Sequence, residues 1–216
     1  MLGILLTSQG IPLLLQGDEF GTTKASARSQ TEARNTYDYE SRTGDPAINY
    51  VNWIDWRLKE GNNQDSPKGP TYGQEIFHWT QGLIAMRKHW SHFRRADFPV
   101  YINEAPDDRR GPRNDSLFTY AWEGPKEGMP SQLTIIWWGK AGEPDLMIIY
   151  NEHGDPFTVT NVRDWSQGDW KILTRSWYGD GADLCGPKDW QTSCPEAGET
   201  ITIQGHAMAI LISDND

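Results

Sequence analysis

Cysteine, basic charge and long apolar runs are what this sequence has least of, and each scarcity narrows the reading. Lys and Arg number 20 against 30 Asp and Glu, for a formal net charge of −10. That balance argues against nucleic acid or an anionic membrane surface as a partner, since both reward clustered cations. No apolar stretch reaches the roughly 20 residues of a membrane-spanning helix. Residues 1–6 (MLGILL) are apolar but follow no basic region and run into a strand signal, so they are not read as a signal peptide. The only two cysteines, Cys185 and Cys194, bound the segment CGPKDWQTSC, where Gly and Pro make a disulfide sterically easy. Such a pair favours a secreted or periplasmic setting over a cytoplasmic one; the alternative is two thiols in a cytosolic enzyme.

What the chain has in quantity is tryptophan, 11 of 216 residues, within a hydrophobic share of 37% that is ample for a core. An indole face can stack on the apolar face of a pyranose, so the aromatic content suits a neutral sugar ligand. The competing reading puts most of these tryptophans in the core.

The chain is organised around GIPLLLQGDEFG, residues 10–21, where an apolar run, glycines and carboxylates meet. Ile11 to Leu15 is too short for a helix and too continuously apolar for a half-exposed strand. It reads as a strand of a parallel sheet, buried on both faces, with Pro12 at its start. Residues 1–9 then read as the buried end of a preceding helix. A strand entered so early lacks neighbours for its backbone groups, so the sequence is expected to be the C-terminal portion of something longer.

Asp18 and Glu19 follow at the carboxyl end of this strand, where parallel α/β architecture places functional groups. They are not read as a catalytic pair, because adjacent residues of an extended strand point to opposite faces. Glu19 is expected to position loops by hydrogen bonding, with Asp18 beside it on the rim. Residues 22–73 form a long polar stretch carrying Tyr37, Tyr39, Tyr50, Trp53, Trp56 and Tyr72, too aromatic for disorder. An amphipathic helix follows from Thr71, with capping-box spacing to Gln74 and apolar Ile76, Leu83, Met86 and Trp90. His89 and His92 stand three apart on it, read as surface histidines rather than metal ligands. Asp180, Asp183 and Asp189 lie in a Gly-containing segment and are the one candidate Ca²⁺ set. No other cofactor or metal is implied.

Beyond a charged Pro/Gly segment at 105–114 the texture changes to short runs of strand-like composition: 117–122, 133–138, 146–150, 157–160, 170–175, 200–203 and 207–212. Without intervening helices they imply an antiparallel sandwich.

GIPLLLQGDEFG, then VNWIDW at 51–56 and FHWTQGLIAMRKHWSHFR at 77–94, resembles the last strand, loop and helix of the α-amylase-type glycoside hydrolases, above all their debranching members, the pullulanases, isoamylases and glycogen-debranching enzymes. The resemblance implies an α/β plus all-β chain: residues 1–99 as the end of a (β/α)8 TIM barrel, and residues 113–216 as a C-terminal antiparallel β-sandwich. It implies a glycosidase of polysaccharide degradation that hydrolyses α-1,6 branches of starch, glycogen or pullulan with retention. The partners it implies are an α-glucan and the remainder of the barrel. The family's catalytic carboxylates belong to motifs not found here, so the chain alone is expected to be inactive. Asn35, Tyr37, Asp45, Asn52 and Trp53 match the family's substrate loop in order, with Asp55 and Trp56 completing the run. Extra residues at 41–49 leave open whether Asp45 or Asn49 takes the sugar-binding place. Trp53 and Trp56 either face the substrate or pin the loop to the barrel. The alternative from another class is a non-catalytic carbohydrate-binding module whose sandwich tryptophans face solvent.

Overall fold

The computed structural model describes residues 1–22, 54–62, 69, 71–102, 117–123, 131–140, 143–160, 169–177, 185 and 194–214; for 117–123, 160 and 214 it describes the backbone alone. Two compact units result, one of residues 1–12 with 81–216 and one of residues 13–80.

The larger unit is built on a six-stranded sheet of order β1-β2-β3-β4-β8-β6 and a two-stranded sheet β5-β7. The strands are β1 (Val100–Tyr101), β2 (Leu117–Glu123), β3 (Gln132–Trp138), β4 (Leu146–Asn151), β5 (Phe157–Thr160), β6 (Asp169–Arg175), β7 (Thr200–Ile203) and β8 (Ala207–Asp214). All pairings are antiparallel except β1 with β2, which is parallel. β1 lies before the stretch of residues 113–216 read as the antiparallel sandwich.

Side-chain period explains which strands are central. In β7 the isoleucines 201 and 203 are buried while Thr200 and Thr202 are exposed, the alternation of a sheet with one wet face. Thr202 shares a hydroxyl hydrogen bond of 2.9 Å with Thr158 across the strands. β4, with every residue buried, sits between β3 and β8 and is covered on both sides. One core joins the sheets: Trp138, Met147, Ile149, Trp170, Ile172 and Leu211 of the large sheet meet Val159, Ile201 and Ile203 of the small one.

Helix α1 (Leu2–Thr7) belongs to this unit. Its Thr7 hydroxyl shares a 2.6 Å hydrogen bond with the Tyr150 hydroxyl of β4, a phenol that burial pushes up to about 12. Arg95 donates to the Trp138 carbonyl at 3.1 Å and to Glu143 at 3.1 Å. These ties place residues 1–12 and 81–99 with the sandwich.

Ile11 to Leu15 forms no strand, and Ile11, Leu13 and Leu15 are 90%, 84% and 60% exposed. The apolar run is as the sequence suggested, but burial and a ladder both need neighbours, and no described residue pairs with it.

Helix α3 (Tyr72–His89), running through both units, starts where Thr71 donates its hydroxyl to the Glu75 carboxylate at 2.7 Å. It ends before His92, because Trp90 turns extended and a 3₁₀ turn follows at Ser91–Phe93. The two histidines are thus not neighbours on one helix, and they differ in kind: His89 is exposed and His92 is 0% exposed. The surface reading fails for His92. Neither of its ring nitrogens makes a hydrogen bond of good geometry, although the Pro144 backbone is near enough to favour the charged form. Burial, then the charge of Arg95, pushes its pKa down to about 4.

The folded pKa of His92 lies below the unfolded one, so the unfolded chain takes up a proton first on acidification. The contribution is intact above about 6.5, the ordinary histidine value, and is lost as pH falls towards about 4. Thermal melts between pH 7 and 4 are expected to show this loss, and His92→Leu should flatten it; an unchanged slope in the variant would assign the acid sensitivity elsewhere.

Candidate functional site

The smaller unit contains the GDEF turn. Gly17 (φ 102°) and Gly21 (φ 73°) adopt the left-handed region on either side of a 3₁₀ turn, Asp18–Phe20. The turn closes through Thr22 N–H donating to the Gly17 carbonyl at 2.9 Å. The extended geometry expected for Asp18 and Glu19 is therefore replaced by a tight turn, because a left-handed glycine on each side of it admits one. Glu19 is half-buried and accepts the Gly17 N–H at 2.7 Å, while Asp18 is exposed.

Phe20 is 0% exposed and carries the turn inward. Its ring meets Phe77 of α3 edge-on at 6.4 Å and Trp56 in a tilted contact at 5.6 Å. Trp56 precedes a short helix, α2 (Arg57–Glu60), whose Leu58 is buried. A side chain at Gly73 of α3 would lie 2.5 Å from the Leu58 carbonyl oxygen, so this close approach of α2 and α3 requires glycine. Lys59 holds its ammonium 5.0 Å from the Phe77 ring and 6.0 Å from that of Trp56, within cation–π range. Trp56 remains 50% exposed.

Beside it, Asp55 takes a forked pair of bonds from Arg57, Nε at 2.9 Å and the terminal nitrogen at 2.8 Å, with the Arg57 N–H at 3.1 Å. The bond from the Arg57 side chain holds the Asp55 carboxyl below its usual range against an opposing effect of burial. At this exposure the pair orders two side chains more than it stabilises the fold. An exposed indole next to the ordered polar pair Asp55 and Arg57 can stack and hydrogen-bond an uncharged polyhydroxy ligand.

Asn35, Tyr37, Asp45, Asn49, Asn52 and Trp53 lie outside the described residues, as do Asp180, Asp183 and Asp189. Among the described residues no group of three or more His, Cys, Asp or Glu is placed to hold a metal. No helix among them is long and apolar enough to cross a membrane. Cys185 and Cys194 are joined in a disulfide, with Cα atoms 5.6 Å apart. Phe20, Arg57 and Lys59 carry no functional mark in the sequence. The one available signal is a lone Phe enclosed by glycines and acids in otherwise polar surroundings.

A cleft of about 320 Å³ in the larger unit is lined by Gly10, Ile11, Pro12, Arg87, Arg94 and Arg95. Its guanidinium groups are turned away to protein partners. Arg87 donates to the carbonyls of Leu6 (2.9 Å), Ser8 (2.7 Å) and Gly10, and Arg94 to those of Arg87 (2.7 Å) and Lys88 (3.0 Å). Arg95 Nε makes no hydrogen bond but is wholly enclosed, out of a ligand's reach. The cleft is a joint that fixes the chain between α1 and Pro12.

No protein-family model matches the sequence, and no curated protein matches it. Solved structures do. A pullulanase from Anoxybacillus sp. LM18-11, solved with maltotetraose, is 21% identical with a TM-score of 0.52, over 98% of this chain and 22% of that one. The type I pullulanase of Bacillus subtilis str. 168, solved with maltose, is 18% identical with a TM-score of 0.54, over 99% and 22%. The catalytic module of SpuA, a glycogen-degrading pneumococcal virulence factor, is 14% identical with a TM-score of 0.61, over 99% and 30%. At these identities the likeness is one of fold. The matches cover 98 to 99% of this chain, which spans only 22 to 30% of the length of those chains.

Proposed function

We propose that this chain is the C-terminal part of an α-glucan debranching hydrolase, a retaining glycosidase acting on α-1,6 linkages. In this reading it contributes a substrate-cleft loop and a β-sandwich, while the catalytic carboxylates sit on other segments of a (β/α)8 barrel. The observation that carries the proposal is the fold match to pullulanases over 98 to 99% of the chain, including two solved with maltose and maltotetraose. Ile11 to Leu15 is then the barrel strand whose partners belong to the rest of the enzyme, consistent with its exposure. The substrate loop carries Asn35, Tyr37, Asp45, Asn52 and Trp53, with Trp56 held at its end by Phe20.

The alternative of a carbohydrate-binding module requires sandwich tryptophans that face solvent. Trp137, Trp138 and Trp170 are 7%, 1% and 1% exposed, and Trp177 packs partly buried against the core. Their burial favours the debranching reading; Trp122 and Trp165 have no described side chains.

Two assays test it. The whole polypeptide that contains this chain should release oligosaccharides from pullulan and amylopectin by cleaving α-1,6 bonds. The 216-residue chain alone should show no turnover above a buffer blank. Cleavage of linear α-1,4 chains only by the whole polypeptide would overturn the linkage assignment. Activity of the isolated chain, abolished by replacing one of its own carboxylates, would overturn the placement of catalysis elsewhere.

A further inference from the structure

The large sheet ends on β6, and the edge of β6 away from β8 does not stay bare. Residues 194–197 lie along it. Ile172 N–H donates to the Pro195 carbonyl at 2.8 Å, Ala197 N–H donates to the Trp170 carbonyl at 2.7 Å, and Lys171 bridges Glu196 in antiparallel fashion. Cys185 N–H takes the next carbonyl along, that of Leu173, at 2.9 Å. Leu173 is the residue skipped where the β6–β8 register shifts between Ile172 and Thr174. Cys185 and residues 194–197 thus cover consecutive positions of one edge, and the disulfide between Cys185 and Cys194 joins them.

Among the described residues, the bonds of each piece to this edge are few. A bridge of two hydrogen bonds, or a single bond, offsets little of the conformational entropy lost on ordering, which is about 1–2 kcal/mol per residue. Cross-linked, each segment keeps the other at its place on the edge. Within the lining segment Ala197 is buried in the shared core with Trp170 and Ile172, and Cys194 is 7% exposed. An uncovered edge would present free N–H and C=O groups for pairing with another chain.

We propose that the Cys185–Cys194 disulfide is a redox-controlled clasp on the β6 edge: oxidised, it holds residues 185 and 194–197 on the sheet; reduced, it releases them and opens the edge. The chemistry is thiol–disulfide exchange with a dithiol reductant. A thiolate of the reductant attacks the sulfur of Cys185, the less buried of the two, and the Cys194 sulfur leaves. The second thiol of the reductant then displaces Cys185 and closes a cyclic disulfide. Two electrons and two protons pass to the protein, which ends with two thiols.

Hydrogen exchange with mass analysis on the oxidised and dithiothreitol-reduced chain tests this, alongside thiol alkylation that counts the free cysteines. Native alkylation should find none before reduction and two after. Reduction should speed exchange at Ile172, Cys185 and Ala197 by tenfold or more, leave the β3–β4 ladder unchanged, and lower Tm by roughly 5–10 °C. Reoxidation should restore all three readings. The Cys185→Ser/Cys194→Ser variant should behave as the reduced protein; if it does not fold, reduction of the native chain still decides. Free thiols in the oxidised chain would overturn the proposal, as would unchanged exchange on reduction. Loosening spread evenly over the sheet would overturn it too, since the disulfide would then be a general staple and not a clasp on one edge.

Discussion

Replacing Trp138 with alanine is expected to lower the free energy of unfolding by about 3–5 kcal/mol, the range for deleting a large buried aromatic side chain. Trp138 closes β3 with 1% of its surface exposed and belongs to the core shared by both sheets, with Met147, Trp170 and Ile172. Its backbone is held independently, through the carbonyl that accepts Arg95 at 3.1 Å, so the surrounding structure has little freedom to collapse into the space left. That rigidity places the cost toward the upper part of the range, and Trp138→Phe should recover about half of it. Urea unfolding decides the matter: the midpoint should fall while the m-value stays constant. A loss below about 1 kcal/mol would mean that the site tolerates or refills the cavity, contrary to the packing described.

The sandwich was legible because its strands advertise themselves locally. TITI at 200–203 alternates as a one-sided strand must, and LMIIY at 146–150 is unbroken as a central strand must be. What could not be read there was pairing. β1 has two residues and no pattern, and its parallel alignment with β2 is set by tertiary contacts. The same limit governs Ile11 to Leu15, whose composition is that of a buried strand but whose burial depends on residues that must lie beside it. His92 is buried in the 3₁₀ turn that follows α3, and nothing within its own few residues signals that.

At the candidate site the motif was legible and its geometry was not. Asp18 and Glu19 read from the sequence as extended, and their folding into a turn depends on both Gly17 and Gly21 being left-handed. Trp56 was readable as either a loop pin or a ligand contact, and the structure gives it features of both. One part of it packs on Phe20, yet half its surface is open. A residue so placed is best resolved by separating its effect on stability from its effect on catalysis.

In the debranching enzyme proposed above, Trp56→Ala is expected to reduce kcat/KM on branched α-glucans by roughly five- to a hundredfold, equivalent to about 1–3 kcal/mol for a desolvated aromatic contact. The indole is already oriented by Phe20 at 5.6 Å and Lys59 at 6.0 Å, so a sugar ring stacking on it would not have to order it. A contact of this kind, remote from the bond being cleaved, should matter more for long substrates than for short activated ones that leave its subsite empty. Trp56→Phe keeps a flat apolar face and should restore most of the rate. A loop pin predicts a different pattern, in which Trp56→Ala lowers Tm by several degrees and slows every substrate by the same factor. Measuring kcat/KM on both substrate classes together with Tm therefore separates the two roles, and a uniform loss with a lower Tm would remove Trp56 from the substrate cleft.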